Sequence, residues 1–397
     1  MDQNLVPPHG SRSSKIAIVG EAPGKDEHLY KIPFIGASGE LLGRYVRRAG
    51  YQRQITKKLL EGHIVTDVVS NVYVTNFVKY YPGPDFKKQF YSDSKGLEPN
   101  GEWLRWQQVL QAELKACGAN VIVPVGEHAM RAITGKYGIS NWRGSILEST
   151  LLPGRKAIPV VHPANVLREW YYHPICLIDW QRIGQESLTP DIVLPAREYH
   201  IRPTFEQVKE WEEILVKAEY VACDIETKYG HVACVGFADR ADRAFCIPFI
   251  SNRGHYWPDA QIEAAVWRTV YNALAAPSKK IFQNGLFDLS RLSAMGMRVN
   301  NFWHDTMLGH ALLYPELEKS LAVQTSLYTR EPYYKSEGKQ ALNVKSDKAW
   351  GADQRDDQLW IYNCKDCAVT WEICFEQLKD FTEVERVSIK PSGGMSL

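Results

Sequence analysis

Lys15-Ile16-Ala17-Ile18-Val19-Gly20-Glu21-Ala22-Pro23-Gly24 decides how the first half of this 397-residue chain is read. A short apolar run that closes on glycine is a buried strand, and the residues after it form a turn. Working outward, a helix is expected from Ser38 through Ala49 and another from Glu102 to Cys117. Val72 to Val78, Val121 to Val125 and Pro159 to Val161 read as further buried strands. Strands alternating with helices predict a three-layer α/β/α domain with a mainly parallel sheet, over residues 15–186. Residues 1–14, rich in Pro, Gly and Ser, read as a flexible tail.

Residues 187–203 hold three prolines and no clear period, and are expected to link two domains. A fresh helix starts at Thr204, with Gln207 three residues on as its capping-box partner. Tyr220 to Ile225 is a strand, followed by hairpin-like strands at Val232 to Ala238 and Ala244 to Ile250. The rest reads as mostly helical, giving a second domain over 204–385 and a flexible tail over 386–397.

The chain carries 47 Lys+Arg against 46 Asp+Glu, a formal charge of +1. That excludes a protein that grips nucleic acid by bulk charge, though not a local basic groove. The balance is a cancellation, with +5 over residues 1–200 and −4 over 201–397. Hydrophobic residues at 45% and charged residues at 23% fit globular domains rather than disorder. Eight irregularly spaced cysteines without an apolar leader point to reduced thiols in a cytoplasm. No run of apolar residues is long enough to span a membrane.

In the second half, Asp224 and Glu226 lie two apart at a strand end and so face one side. Asp288 follows Phe282-Gln283-Asn284-Gly285-Leu286-Phe287 at a helix start. Tyr362 and Asp366, four apart, share a helix face. Four carboxylates and a tyrosine suit two Mg²⁺ or Mn²⁺ ions about 4 Å apart, the apparatus of phosphodiester hydrolysis. Gaps of 62 and 78 residues separate Glu226, Asp288 and Asp366. In this order the set resembles the 3′–5′ exonucleases of the DEDD superfamily, in the form that bears a tyrosine. It is most similar to the proofreading domain of phage family A DNA polymerases. His304-Asp305-Thr306-Met307-Leu308, Leu312 to Leu317 and Tyr328 to Lys335 belong to the same resemblance. It implies an RNase H-like fold, Asp224, Glu226, Asp288 and Asp366 as metal ligands, and Tyr362 orienting the attacking water. Cys364 and Cys367 have no second Cys/His pair at zinc spacing, and with His304 and His310 read as packing residues.

In the first half, Pro33-Phe34-Ile35-Gly36, Thr75-Asn76-Phe77, Gly126-Glu127-His128, Trp142-Arg143-Gly144 and His162-Pro163-Ala164-Asn165-Val166-Leu167-Arg168 follow the opening loop. A pocket for uracil needs an aromatic face, an amide for the O4/N3 edge and a donor to O2 as the glycosidic bond breaks. Phe34, Asn76 and His162 have those chemistries, and Glu21 is suited to position or polarise water. The ordered set resembles the uracil-DNA glycosylases, nearest to the families with a Gly-Glu-Ala-Pro-Gly motif. That implies Glu21 in the water-activating motif, Phe34 stacking uracil, Asn76 reading it and His162 stabilising O2. It also implies a DNA-contacting segment with Leu167 or Arg168 as wedge, and Arg143 is expected to touch DNA as well. Those families carry four cysteines for an iron–sulfur cluster. Cys117 and Cys176 are too few, and no cluster is expected. Tyr80-Tyr81-Pro82 stands where the families tend to have Cys-Arg-Pro.

The expectation is a DNA replication and repair protein that acts on uracil-containing strands and 3′ ends. Its expected partner is a family A polymerase, of which it is a subunit or an N-terminal portion. Three alternatives stay open: a non-catalytic uracil reader joined to an active exonuclease, an exoribonuclease resembling RNase D, and a scaffold for a replication complex in which both halves are inactive.

Overall fold

The computed structural model describes residues 5–60, 63–228, 230–336 and 354–388. The chain divides into two compact units, Met1–Leu194 and Pro195–Leu397. Among the described residues, no helix is long and apolar enough to cross a membrane.

The first unit contains β1 (Ile16–Gly20), β2 (Arg53–Leu60), β3 (His63–Ser70), β4 (Tyr73–Asn76), β5 (Val121–Pro124), β6 (Leu147–Glu148) and β7 (Lys156–Ala157). Five of these form one sheet in the order β4-β1-β5-β7-β6, parallel except at β6. Successive residues of β1 feed opposite cores. Ile16 and Ile18 pack with Leu42, Tyr45 and Trp180, while Ala17 and Val19 pack with Phe77, Trp103 and Leu110. Helices therefore cover both faces, as the continuous apolar run of a parallel strand requires. The helix Gly101–Lys115 starts at Asn100, whose side chain accepts from the amides of Glu102 and Trp103.

The second unit adds β8 (Glu198–His200), β9 (Tyr220–Lys228), β10 (His231–Arg240), β11 (Arg243–Pro248), β12 (Ile250–Ser251), β13 (Gly254–His255), β14 (Lys279–Phe282) and β15 (Phe302–Asp305). Its main sheet runs β15-β14-β9-β10-β11-β8, with β9, β10 and β11 antiparallel and the outer pairs parallel. This is a mixed sheet, as the resemblance implies. Odd residues of β9 (Val221, Cys223, Ile225) pack against the helices Phe205–Lys217 and Ala260–Ala275. Its even face lies toward the long helix Gln354–Ser388, where Ala222 packs with Leu359, Trp360, Cys364 and Cys367. Thr204 and Gln207 form the expected capping box.

Several expectations need correction. Residues 5–14 are not loose: the Val6 amide donates to the Lys79 carbonyl and His9 bridges Val74. The second half of the expected linker supplies β8, which pairs with β11. Instead of a strand over Pro159 to Val161, Val160 makes a single bridge to Val125, and the strand is β7 just before it. The β2–β3 hairpin was not foreseen. Its alternation is masked by Lys57 and Lys58 and by the lack of an apolar face long enough to stand out. Residues 386–388 continue the last helix, and 389–397 lie outside the described residues.

Candidate active sites in the two units

In the first unit the site gathers where parallel strands end, the edge at which open α/β sheets bind ligands. Gly20 and Asn76 close β1 and β4 in register with each other. A Cβ on Gly20 would lie 2.2 Å from Asn76 Oδ1 and 2.6 Å from the Phe34 ring. The bare glycine thus gives Asn76 and Phe34 the room to close in on the end of β1. Asn76 and Phe34 are each 3% exposed. Phe34 has φ of 55°, unusual for a side-chain-bearing residue. Buried Arg53, at the start of β2, donates to the carbonyls of Pro33 (2.7 Å) and Phe34 (3.0 Å) and braces that turn.

The Phe34 and His162 rings lie 5.8 Å apart at 27°. His162 caps the helix Pro163–Arg168, its Nδ1 accepting from the Ala164 amide at 3.1 Å. The ring proton therefore resides on Nε2. Burial, aided by the Arg168 charge, lowers its pKa to about 4, so the imidazole is neutral at physiological pH. Glu21 accepts from the His128 amide at 3.0 Å, at the N-terminus of the helix Glu127–Thr134. A Cβ on Gly126 would sit 2.5 Å from Glu21 Oε1. Burial raises the Glu21 pKa to about 7, with nearby Glu127 adding to it. Leu167 and Arg168 are exposed beyond the pocket, and Arg168 donates to Asn165 Oδ1. Arg143 corrects the expectation of a DNA contact: it is 3% exposed and its guanidinium forms a two-pronged pair with Asp179.

In the second unit, Asp224, Glu226 and Asp366 bring carboxylate oxygens to within 4.8 Å of one another. The two β9 residues lie on the sheet face that meets the last helix, which carries Asp366. Asp288, 3% exposed, stands in the first turn of the helix Leu286–Ala294 and accepts from the Ile225 amide at 2.9 Å. It is thus tied to the strand between Asp224 and Glu226, beside the triad. Burial and mutual repulsion push Asp224 and Glu226 well above the usual carboxylate range. Burial raises Asp288 to about 7. Hard oxygen donors that repel one another this closely fit divalent cations.

Three groups escaped the sequence reading. Tyr334 donates to Asp366 Oδ1 at 2.7 Å. Lys335 pairs with Asp366 and donates to the Tyr362 hydroxyl at 2.9 Å. Asn363 donates to Asp224 Oδ2 at 2.8 Å, and Gly236 opposite leaves it room. Tyr334 and Lys335 sat in a stretch noted only for its resemblance, and Asn363 is next to Tyr362 on the helix. Asp305 also gains a role: it accepts from the amides of Asn284, Gly285 and Met307, fixing the turn ahead of Asp288.

The comparisons agree with this division. Residues 7–175 match the uracil DNA glycosylase superfamily model, and residues 199–380 match a 3′-5′ exonuclease model. A type-4 uracil-DNA glycosylase from Archaeoglobus fulgidus is 30% identical over 188 residues, covering 46% of this chain and 81% of that protein. A DNA polymerase from Bacillus phage SP01 is 27% identical over 225 residues, 55% of this chain. The chain spans only 21% of that polymerase's length. Among solved structures, Trypanosoma brucei RNase D in complex with RNA is 14% identical with a TM-score of 0.37, covering 51% of this chain and 73% of that one. The chain belongs to the uracil DNA glycosylase superfamily through its first unit and carries a 3′-5′ exonuclease domain in its second.

Proposed function

We propose that the first unit excises uracil from DNA and that the second trims DNA from 3′ ends. The two would serve as a fidelity module beside a family A polymerase in a cytoplasm. The observation that carries the uracil reading is the tautomer of His162. Its Nδ1 is occupied by the Ala164 amide, which leaves a neutral Nε2–H as donor. As the C1′–N1 bond breaks, its electron pair leaves with the base and negative charge gathers on O2, where that donor would stabilise it. Asn76 would read the O4/N3 edge while Phe34 stacks on the ring. Glu21, as carboxylate, would take a proton from the water that adds to C1′.

Two cysteines cannot hold the cluster that related families carry. Cys117 and Cys176 lie in the cores on opposite faces of the sheet. We propose that the first unit works without iron. Tyr80 packs against Phe90 and Trp106, and Trp103 against Phe77 and Tyr91. An aromatic cluster thus braces the loop that has Tyr80-Tyr81-Pro82 in place of Cys-Arg-Pro.

In the second unit Asp224, Glu226, Asp288 and Asp366 would hold two Mg²⁺ or Mn²⁺ ions. Such ions, when bound, lower the pKa of a nucleophilic water and offset charge on the leaving 3′ oxygen. Tyr362 would orient the water, its hydroxyl held by Lys335. Asn363 fixes the Asp224 rotamer, and Tyr334 fixes that of Asp366.

The test uses end-labelled strands. Alkali-sensitive breaks at uracil, without added metal, are expected from the first unit. Metal-dependent shortening from the 3′ end is expected from the second, faster on DNA than on a matched RNA. Binding of uracil strands without base release would leave the first unit a reader rather than an enzyme.

A further inference from the structure

Beyond the uracil pocket the chain runs through the helix Pro163–Arg168 into a short turn, Trp170–Tyr172. Within five residues it exposes Leu167 (46%), Trp170 (53%) and Tyr171 (62%). The two aromatic rings have no part in the chemistry above. Trp170 nevertheless has a fixed setting. Its ring stacks on His173 at 4.2 Å and 13°. His173 packs against Tyr45 at 5.6 Å and meets the Tyr45 hydroxyl through Nδ1 at 3.0 Å. Tyr45 in turn lies parallel to Trp180, at 6.3 Å and 11°. Tyr45 and Trp180 belong to the core. A column of four rings therefore rises from the core and ends at the surface on Trp170.

A backed aromatic face loses little entropy when another ring lands on it. Burial and the Arg44 charge keep His173 below its ordinary pKa, which disfavours a charge in the column. Arg44, whose charge acts on His173, and Arg168, two residues before Trp170, are both exposed, with Glu169 between Arg168 and Trp170 the one acid of this stretch. The helix between His162 and this turn rises about 9 Å over its six residues, a span of about three stacked nucleotides. Flat aromatic faces flanked by guanidinium groups are how proteins hold unpaired bases without reading sequence.

We propose that Trp170, with Tyr171 beside it, is a stacking platform for an unpaired base of the strand that carries the uracil. The inference rests on the uracil reading and makes single-stranded DNA its preferred substrate. In a duplex the neighbouring bases are already stacked on one another, so the platform offers them nothing until they are unstacked.

The test measures uracil release from single-stranded and duplex oligonucleotides by the full chain in EDTA, which silences the second unit. Trp170→Ala is expected to raise KM on the single strand roughly tenfold, leaving kcat and the duplex KM unchanged, with Trp170→Phe restoring most of the loss. An unchanged KM, or equal changes on both substrates, overturns the platform. Should the wild type release no uracil at all, the glycosylase reading fails instead. The platform is then judged by anisotropy of a labelled uracil-free single strand, which Trp170→Ala must bind more weakly for the inference to stand. If Trp170→Ala turns a dimer into a monomer with DNA constants unchanged, the face joins two copies and the proposal falls.

Discussion

The two sites handle charge in opposite ways. The candidate site of the first unit is built from neutral groups: an amide, a phenyl ring and an imidazole held uncharged, with one carboxyl poised near neutrality. Its donors are in place before any ligand arrives. The second site crowds carboxylates together and leaves their repulsion largely uncompensated, with Lys335 the cation that pairs with Asp366. One site is complete as folded, whereas the other is finished by what it binds. The same contrast explains the charge split of the chain, because the acids of the second site belong to its −4 half.

This contrast is easiest to break with metal removal. EDTA is expected to abolish 3′ trimming and leave uracil release at its original rate, both read on one labelled strand. Loss of both activities would show that the first site also depends on a cation. Asp224→Ala should act likewise, lowering trimming by more than about 100-fold, since loss of even outer-shell partners of metal ligands costs 10–100-fold. Uracil release by that variant should match wild type.

His162→Leu makes the reciprocal case. It should slow uracil release by about 10²–10³-fold, the usual loss when one preorganised donor to a developing oxyanion is removed. Trimming should be untouched. A His162→Leu variant that still releases uracil at the wild-type rate would assign the O2 donor elsewhere.

The pH dependence is milder. Glu21, the proposed base, would act in its ionised form, and its pKa is raised to about 7. Uracil release should therefore climb with pH below about 7, up to tenfold per unit, and level off above it. His162, at about 4, should add no second limb between pH 5 and 9. A profile flat from pH 5 to 8 would remove Glu21 from the role of base.

The smallest effect concerns stability. Because the Glu21 pKa is raised on folding, the native state holds a proton that the unfolded chain has released between about pH 4.5 and 7. Stability is then lost as pH rises across that window. Glu21→Gln removes the buried charge, and its melting temperature should exceed that of wild type by a few degrees at pH 8 and converge with it at pH 5. The opposite order would mean that the helix amides over-compensate the charge.

Much of this was legible in the residues. Ile16–Gly20 and Val121–Pro124 are apolar throughout, and such runs announce buried parallel strands. Thr204 and Gln207 announce a helix start by their spacing. The candidate site residues were legible as types and intervals, because i, i+2 on a strand and i, i+4 on a helix fix a common face. Arg143 was misread because its sequence neighbours say nothing of Asp179, 36 residues away, which consumes its charge. Arg53, Asn363 and Asp305 were missed for the same reason. Their roles are to hold other groups through contacts that only the fold creates. β8 was hidden by the prolines around it and needed β11 as a partner to become a strand.

Gly20 has a consequence for genetics. A single methyl group there would collide with both Asn76 and Phe34. Gly20→Ala is one base change in any glycine codon, and the affected atoms all belong to the first unit. On the proposed reading it is a one-step route to an allele expected to be blind to uracil yet still able to trim 3′ ends. Strains carrying it would assign to each half of the chain its own share of the mutation rate.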